Sequence, residues 1–316
     1  MKQRTGSIAF ILIAALILLL AAGVLVGPVW LDLRRIGAVL KLRLFAKTIP
    51  DELLKVETIL FDLRLPRALL LILTGAALGS SGASYQGLFR NALADPFLIG
   101  VSSGAGLGAV IAQSIHWSDP RFALFARPLF ALAFGMLVVT VVFLIGRDRE
   151  IGSYSSNRLI LAGVAMNAFC SALISFVLLF FRNNLLTSMS WMMGGITLSG
   201  WIPIRILTPM MAVGLMGQFA FAYSINVLQF GEEQAETLGI ETGKVQRRII
   251  FFTTLTTAAA ISFSGVIGFV GLIVPHVIRF QIGSDYRKIL PLSALGGGVF
   301  LLAADLIARR AFAPQE

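Results

Sequence analysis

From Ile8 to Val26 the chain reads IAFILIAALILLLAAGVLV, without one charged or hydrogen-bonding side chain. A helix of that length crosses the roughly 30 Å hydrocarbon layer of a bilayer. Nine such apolar stretches follow one another, at 8–29, 68–86, 99–115, 128–146, 159–181, 206–228, 249–264, 266–282 and 290–308. Backbone polar groups in hydrocarbon must be satisfied within each segment, and the alternating strands of a barrel are nowhere visible. The expectation is therefore an all-α polytopic membrane protein with nine transmembrane helices, a single domain over residues 1–316. With 57% hydrophobic and 13% charged residues, the chain is far from the roughly 25% charge of a soluble domain.

Lys2 and Arg4 precede the first run as they would in a signal peptide. Its apolar core exceeds the usual 7–15 residues of such a segment, so it reads as a span. The single cysteine, Cys170, lies in an apolar stretch and has no partner for an intrachain disulfide. The net charge of +10 is spread over loops with no aromatic interleaving, which fits lipid headgroups and not nucleic acid. Loop charge does not orient the chain, because the long first loop, Leu31 to Arg67, offsets the basic residues on the other side. His116 and His276 stand apart, so no metal-ligand cluster is encoded.

The first loop is mixed in charge and weakly amphipathic, and it reads as one or two surface helices, Leu31–Leu44 and Asp51–Leu60. Beyond it glycines recur four apart: Gly75 and Gly79, Gly100 and Gly104, Gly104 and Gly108. Small residues at that spacing let helix backbones approach closely where lipid supplies no hydrophobic drive. Asn91, Asp95 and Pro96 mark a tight turn between the second and third spans. If nine spans alternate, that turn emerges on the N-terminal side of the membrane, together with RDREIGSYSSNR (147–158), GSDYRK (283–288) and one further connection.

That connection, FGEEQAETLGIETGKVQRR (230–248), is a dense charged island carrying Glu232, Glu233, Glu236 and Glu241 and then Lys244, Arg247 and Arg248. Gly231 precedes an acidic first turn favoured by the helix dipole, and Gly239 stops the helix as a C-cap. On these grounds alone the island is either a docking element for a cytosolic partner or a solvated connector. GIETGKV (239–245) is not a phosphate loop: its first glycine is one residue too close and Val245 replaces the Ser or Thr. Any ATP is handled by another subunit.

RLPRALLLILTGAALGSSGASYQGLFRNALADPFLIGVSSGAGLGA (64–109) resembles the most recognisable block of the permeases of type II ATP-binding-cassette importers for iron-siderophores, haem and cobalamin. LILAGVAMNA (159–168), SWMMGGI (190–196), FGEEQAETLGI (230–240), SGVIGFVGLIVPHVIR (264–279) and LLAADLIAR (301–309) agree in order. The resemblance implies a homodimer with two separate ATPase subunits, which hold ATP and magnesium, and an extracytoplasmic substrate-binding protein. It places the chain in a bacterial or archaeal cytoplasmic (inner) membrane, with no catalytic residue and no cofactor of its own.

It also implies three sets of site residues. Gly231, Glu232, Glu233, Ala235, Glu236, Leu238 and Gly239 stand where the family's coupling helix docks into a cleft of the ATPase, with Ala235 and Leu238 as buried knobs. Arg64, Arg67 and Arg309 match arginines that pair with acidic residues of the binding protein. Asn91, Ala92 and Leu93, with Ser153, Tyr154, Ser155 and Ser156, stand at the cytoplasmic gate. Ala92 replaces the proline that usually follows the asparagine, which implies a looser constriction. The family pattern continues past AFAPQE (311–316) into a leucine-proline-glycine segment and a tenth span, so nine spans would leave the C-terminus outside and the path short of one wall.

Two other classes keep the same spans. An ion-coupled secondary transporter requires an ionisable group inside the membrane, for which Asp305 is the candidate, and a receptor-like membrane protein would bind no ATPase.

Overall fold

The computed structural model describes residues 2–27, 31–45, 48–146, 156–181, 185–195 and 200–311. Those residues are helical almost throughout. After α1 (Lys2–Leu25) come α2 (Leu33–Leu44) and α3 (Asp51–Glu57), which continues through a π-helical stretch (Thr58–Arg64) into α4 (Leu65–Leu88). A single 3-10 turn (Pro96–Ile99) leads into α5 (Val101–Ser114), followed by α6 (Pro120–Ile145), α7 (Ser156–Phe180) and the short α8 (Leu185–Met192). The second half contains α9 (Trp201–Ala220), α10 (Ala222–Leu228), α11 (Glu232–Thr237), α12 (Thr242–Ser264), α13 (Val270–Ile282) and α14 (Tyr286–Ala311). Among the described residues, five helices are by length and composition suited to cross a membrane: Arg4–Leu25, Phe122–Ile145, Asn157–Phe180, Trp201–Ala220 and Tyr286–Ala311.

Helix α4 is the axis of the bundle. Every residue from Ala77 to Leu88 is buried, and most of them are small, so neighbouring helices come to backbone contact. A Cβ on Gly75 would overlap the carbonyl of Gly297 on α14, and one on Gly82 would overlap Gly271 on α13. The spacing of Gly104 and Gly108 does the same for α5, whose backbone lies against the carbonyls of Phe134 and Phe130 on α6. Gly100 has a different task. It takes φ of +90° between the 3-10 turn and α5, a conformation open to glycine at little cost.

Polar side chains lock α4 to α9 and α12 from within. Ser80 and Ser84 both donate to Gln218 Oε1, at 2.7 and 3.0 Å, and Gln218 Nε2 donates to Thr256 Oγ1 at 2.8 Å. Tyr85 and Thr254 share a further hydroxyl bond of 2.9 Å. All these groups are shielded from solvent, and in a low-dielectric interior such satisfied networks fix one arrangement.

The first loop folds as expected into surface helices, stapled by a small cluster of Ile36, Val39, Val56 and Leu60. Arg43 pairs with Glu57 at 2.9 Å and lies 4.0 Å over the Phe61 ring. Four of the nine expected spans are not among those five helices: 68–86 and 249–264 lie in α4 and α12, and the other two are short. The stretch 99–115 yields the 14-residue α5, about 21 Å long, and 266–282 yields the 13-residue α13. The break before α13 has a local cause: Gly265 and Phe269 both take positive φ, 69° and 67°, and Ser264 O accepts from Gly195 N at 2.9 Å, so the chain cannot continue α12.

The glycine seam makes a direct prediction. Gly297→Val should cost at least the roughly 1–3 kcal/mol of an overpacked core, seen as a lowered melting temperature of the detergent-purified protein. Gly195→Ala, with nothing within 4 Å of the added methyl, should melt with the wild type.

Candidate functional site

The charged island and the arginine set lie at opposite ends of α4, which at 24 residues is about 36 Å long. At the C-terminal end of α4, Gln229 Nε2 donates to Gly87 O at 2.6 Å. Asn226 ties the same corner to the start of α14, donating to Asp285 Oδ1 and accepting from Tyr286 N, both at 2.8 Å. Arg279 then bridges Tyr286 Oη (2.8 Å) and Gln86 Oε1 (3.0 Å). Burial opposes ionisation of Asp285, but hydrogen bonds from Arg287 and Asn226 outweigh it and hold the carboxyl below its usual range.

On this base stands α11. Gly231 enters it at φ 110°, and a Schellman closure ends it: Ile240 N donates to Ala235 O (3.0 Å), Gly239 N to Glu236 O (2.9 Å), with Gly239 left-handed at φ 82°. Two of the four glutamates turn inward onto α12. Glu232 accepts from Gln246 Nε2 at 3.0 Å and Glu236 from Thr242 Oγ1 at 2.6 Å. Glu241 is held below the usual carboxylate range by its hydrogen bond and charge contact with Lys244. Glu233 is exposed, and so are Leu238 at 68% and Phe230 at 71%. Ala235 is wholly buried within the chain itself, so the outward apolar pair is Phe230 and Leu238. Phe230 was not among the expected site residues; an aromatic directly before a glycine and an acidic turn is the signal that singles it out.

The turn after α4 sits beside this island. Arg90 Nη1 approaches to 3.8 Å of the Cβ position of Gly231. Asn91 Oδ1 accepts from Leu93 N at 2.9 Å, and Asn91 O from Ala94 N at 3.1 Å. This self-bonded turn leaves Leu93 71% exposed and Ala92 half-buried. Ser153, Tyr154 and Ser155 lie outside the described residues, and Ser156 is described only as the first residue of α7.

At the other end of α4 the structure brings Arg64, Arg67 and Arg309 together, though two of them turn inward. Arg64 is 6% exposed and donates to Val24 O (3.2 Å) and Leu25 O (3.0 Å), capping the C-terminus of α1. Arg309 is also buried. Asp305 lies between the other two: its Oδ1 accepts from Arg67 Nη2 at 2.9 Å, and its Oδ2 is 2.6 Å from Arg309 Nη2. The latter is an ion pair off the line of a hydrogen bond. Arg67, one-third exposed, has the most open side chain of the three.

A bundle of apolar helices with a polar, self-bonded helix at one end and an arginine cluster at the other is a polytopic membrane permease fold. The chain belongs to the FecCD transport family, whose model matches residues 12–316. It is 38% identical over 258 residues to the uncharacterized ABC transporter permease YvrB of Bacillus subtilis, covering 82% of this chain and 73% of that one. To the cobalamin import system permease BtuC of Halobacterium salinarum it is 40% identical over 253 residues, 80% of this chain and 67% of the other. The hemin transport system permease HmuU of Yersinia pestis is 38% identical over 262 residues, 81% and 76% of the two chains. A solved structure described as the inward-facing conformation of a metal-chelate type ABC transporter superposes with a TM-score of 0.82 at 26% identity, over 99% of this chain and 93% of the other. The chain is thus a permease of the ABC importer class.

Removing the carboxylate that Arg67 and Arg309 share tests how far this cluster holds the bundle end together. Asp305→Asn should destabilise by about 3–5 kcal/mol, as breaking a buried ion pair does, read as a fall in melting temperature. Arg67→Gln, at the open side of the cluster, should cost distinctly less.

Proposed function

We propose that this chain forms the membrane-spanning half of an ATP-driven importer that passes a bulky metal chelate, a ferric siderophore, haem or cobalamin, across the cytoplasmic (inner) membrane. Two copies enclose the path, each crosses the membrane nine times, and two separate ATPase subunits hold ATP and magnesium. An extracytoplasmic binding protein delivers the chelate. The family membership and the relatives named for cobalamin and hemin support the substrate class. The observation that carries the reading is the separation of α11 from the arginine cluster by the full length of α4.

In this reading Phe230, Glu233 and Leu238 are the groups that meet the ATPase, while Gly231, Ala235 and Gly239 shape α11, and Glu232 and Glu236 brace it against α12. Apolar anchors with a polar rim are the usual composition of a compact interface. Arg67 is the residue that meets a carboxylate of the binding protein, and Arg64 and Arg309 support it from below. Asn91, Ala92 and Leu93, with Ser153 to Ser156, close the path on the ATPase side. Asp305, the candidate of the ion-coupled alternative, sits between Arg67 and Arg309, which supports a structural role for it.

Two measurements test this. Replacing Glu233 and Leu238 together by Ala should lower co-purification of the cognate ATPase by about tenfold or more, the scale of a lost interface anchor. Unchanged recovery removes α11 as the docking element. In proteoliposomes with the binding protein, uptake of one of the three chelates should require ATP; uptake driven by a proton gradient without ATP would establish ion coupling instead.

A further inference from the structure

On the outer surface of the bundle, between α6 and α12, lies a groove of about 270 Å³. Its walls are apolar: Met136, Val139 and Phe143 from α6, Ile250 and Phe251 from α12. One cation, Arg247, stands at its mouth. Along α12 the groove runs from Arg247 to Thr254, two helical turns or about 10 Å. Among the described residues no carboxylate pairs with Arg247, whereas Lys244 one turn earlier is engaged by Glu241 at 2.5 Å.

The position of Arg247 sets what can fill the groove. It lies where the charged island passes into the apolar part of α12, at the same end of the bundle as the last turn of α6, so it sits at the boundary between water and hydrocarbon. Lipid phosphates occupy that level. Below it the groove is flanked by exposed apolar side chains, Leu137 (54%), Leu144 (68%) and Phe251 (51%), which face acyl chains in a membrane-spanning protein. Guanidinium groups recognise phosphate with several donors in a fixed fork, and basic pockets between transmembrane helices take anionic headgroups.

We propose that this groove binds one phospholipid with an anionic headgroup, its phosphate on Arg247 and one acyl chain between α6 and α12. The lipid wedges α6 against the helix that grows directly out of the charged island. This site stands on the membrane-spanning fold alone and does not depend on the transport reading.

Native mass spectrometry of the intact complex tests it, with phosphatidylglycerol, phosphatidylcholine and glycerol 3-phosphate as probes. Both lipids offer Arg247 a phosphodiester, but the choline ammonium cancels its charge, so the wild type should retain phosphatidylglycerol about fivefold better than phosphatidylcholine, the scale of one basic residue at an anionic headgroup. Arg247→Gln should abolish that preference and Arg247→Lys should keep part of it. Thr140→Trp, which fills the groove from an exposed position, should lower retention of both lipids while leaving the melting temperature of the lipid-free protein unchanged. Equal retention of the two lipids by the wild type, or an undiminished preference in Arg247→Gln, overturns the proposal. Displacement of the lipid by glycerol 3-phosphate would make this a free-phosphate site, and loss of the ATPase from Arg247→Gln with lipid retention intact would assign the arginine to protein docking; either result also overturns it.

Discussion

Everything in this bundle depends on how closely α14 and α13 can approach α4. Lipid tails are as apolar as leucine, so helices in a membrane gain little by hiding oily surface from lipid and must gain by packing. Gly75, Gly79 and Gly82 on α4 meet Gly297, Ser293 and Gly271 backbone to backbone. Each backbone contact brings many atom pairs into range at once, and the summed dispersion is large although each pair contributes only about 0.1–0.2 kcal/mol. A second close approach, Gly214 and Gly217 of α9 against Thr256 and Phe252 of α12, brings Ser80, Ser84 and Gln218 within bonding distance of one another and of Thr256. Close packing and polar locking are therefore one feature. Widening the seam would strand those groups in a medium that offers them no water.

Much of this was legible because the controlling signals are local. The length of each apolar run, the four-residue glycine spacing and the charged interruption at 230–248 are properties of adjacent residues, and they correctly announce helices, seams and an exposed element. What stayed hidden depends on partners far away in the chain. The inward turn of Arg64 requires the C-terminal carbonyls of α1, and that of Arg309 requires Asp305 together with Arg67. Ala235 reads as a knob for a partner until α10 and α12 are folded around it. Likewise an apolar stretch at 266–282 carries no mark of the positive φ at Phe269 that delays α13 to Val270, a conformation uncommon for a bulky non-glycine residue.

The island illustrates how charge serves shape as well as recognition. Glu232 and Glu236 spend their acceptor capacity on Gln246 and Thr242, so a six-residue helix, far too short to be stable in isolation, is held in one orientation. Rigidity of this kind lowers the entropy lost when a partner binds. It also explains why four glutamates sit in a stretch whose exposed apolar residues are only Phe230 and Leu238: part of the acidity is internal scaffolding.

Helix α14 connects these observations. Its first turn is bonded to Asn226, at the base of the island, and its last turn carries Asp305 and Arg309. Its middle is pressed against α4 through Ser293, Gly297 and Gly298. This 26-residue helix, about 39 Å long, therefore runs from the base of the island to the arginine cluster. Under the proposed function, in which α11 and the arginine cluster are the two docking points, α14 is an element bonded at both ends. Any coupling between two such sites is reciprocal by thermodynamic necessity. Under that proposed function this helix would be the physical route by which a binding protein on one side of the membrane is felt by an ATPase on the other.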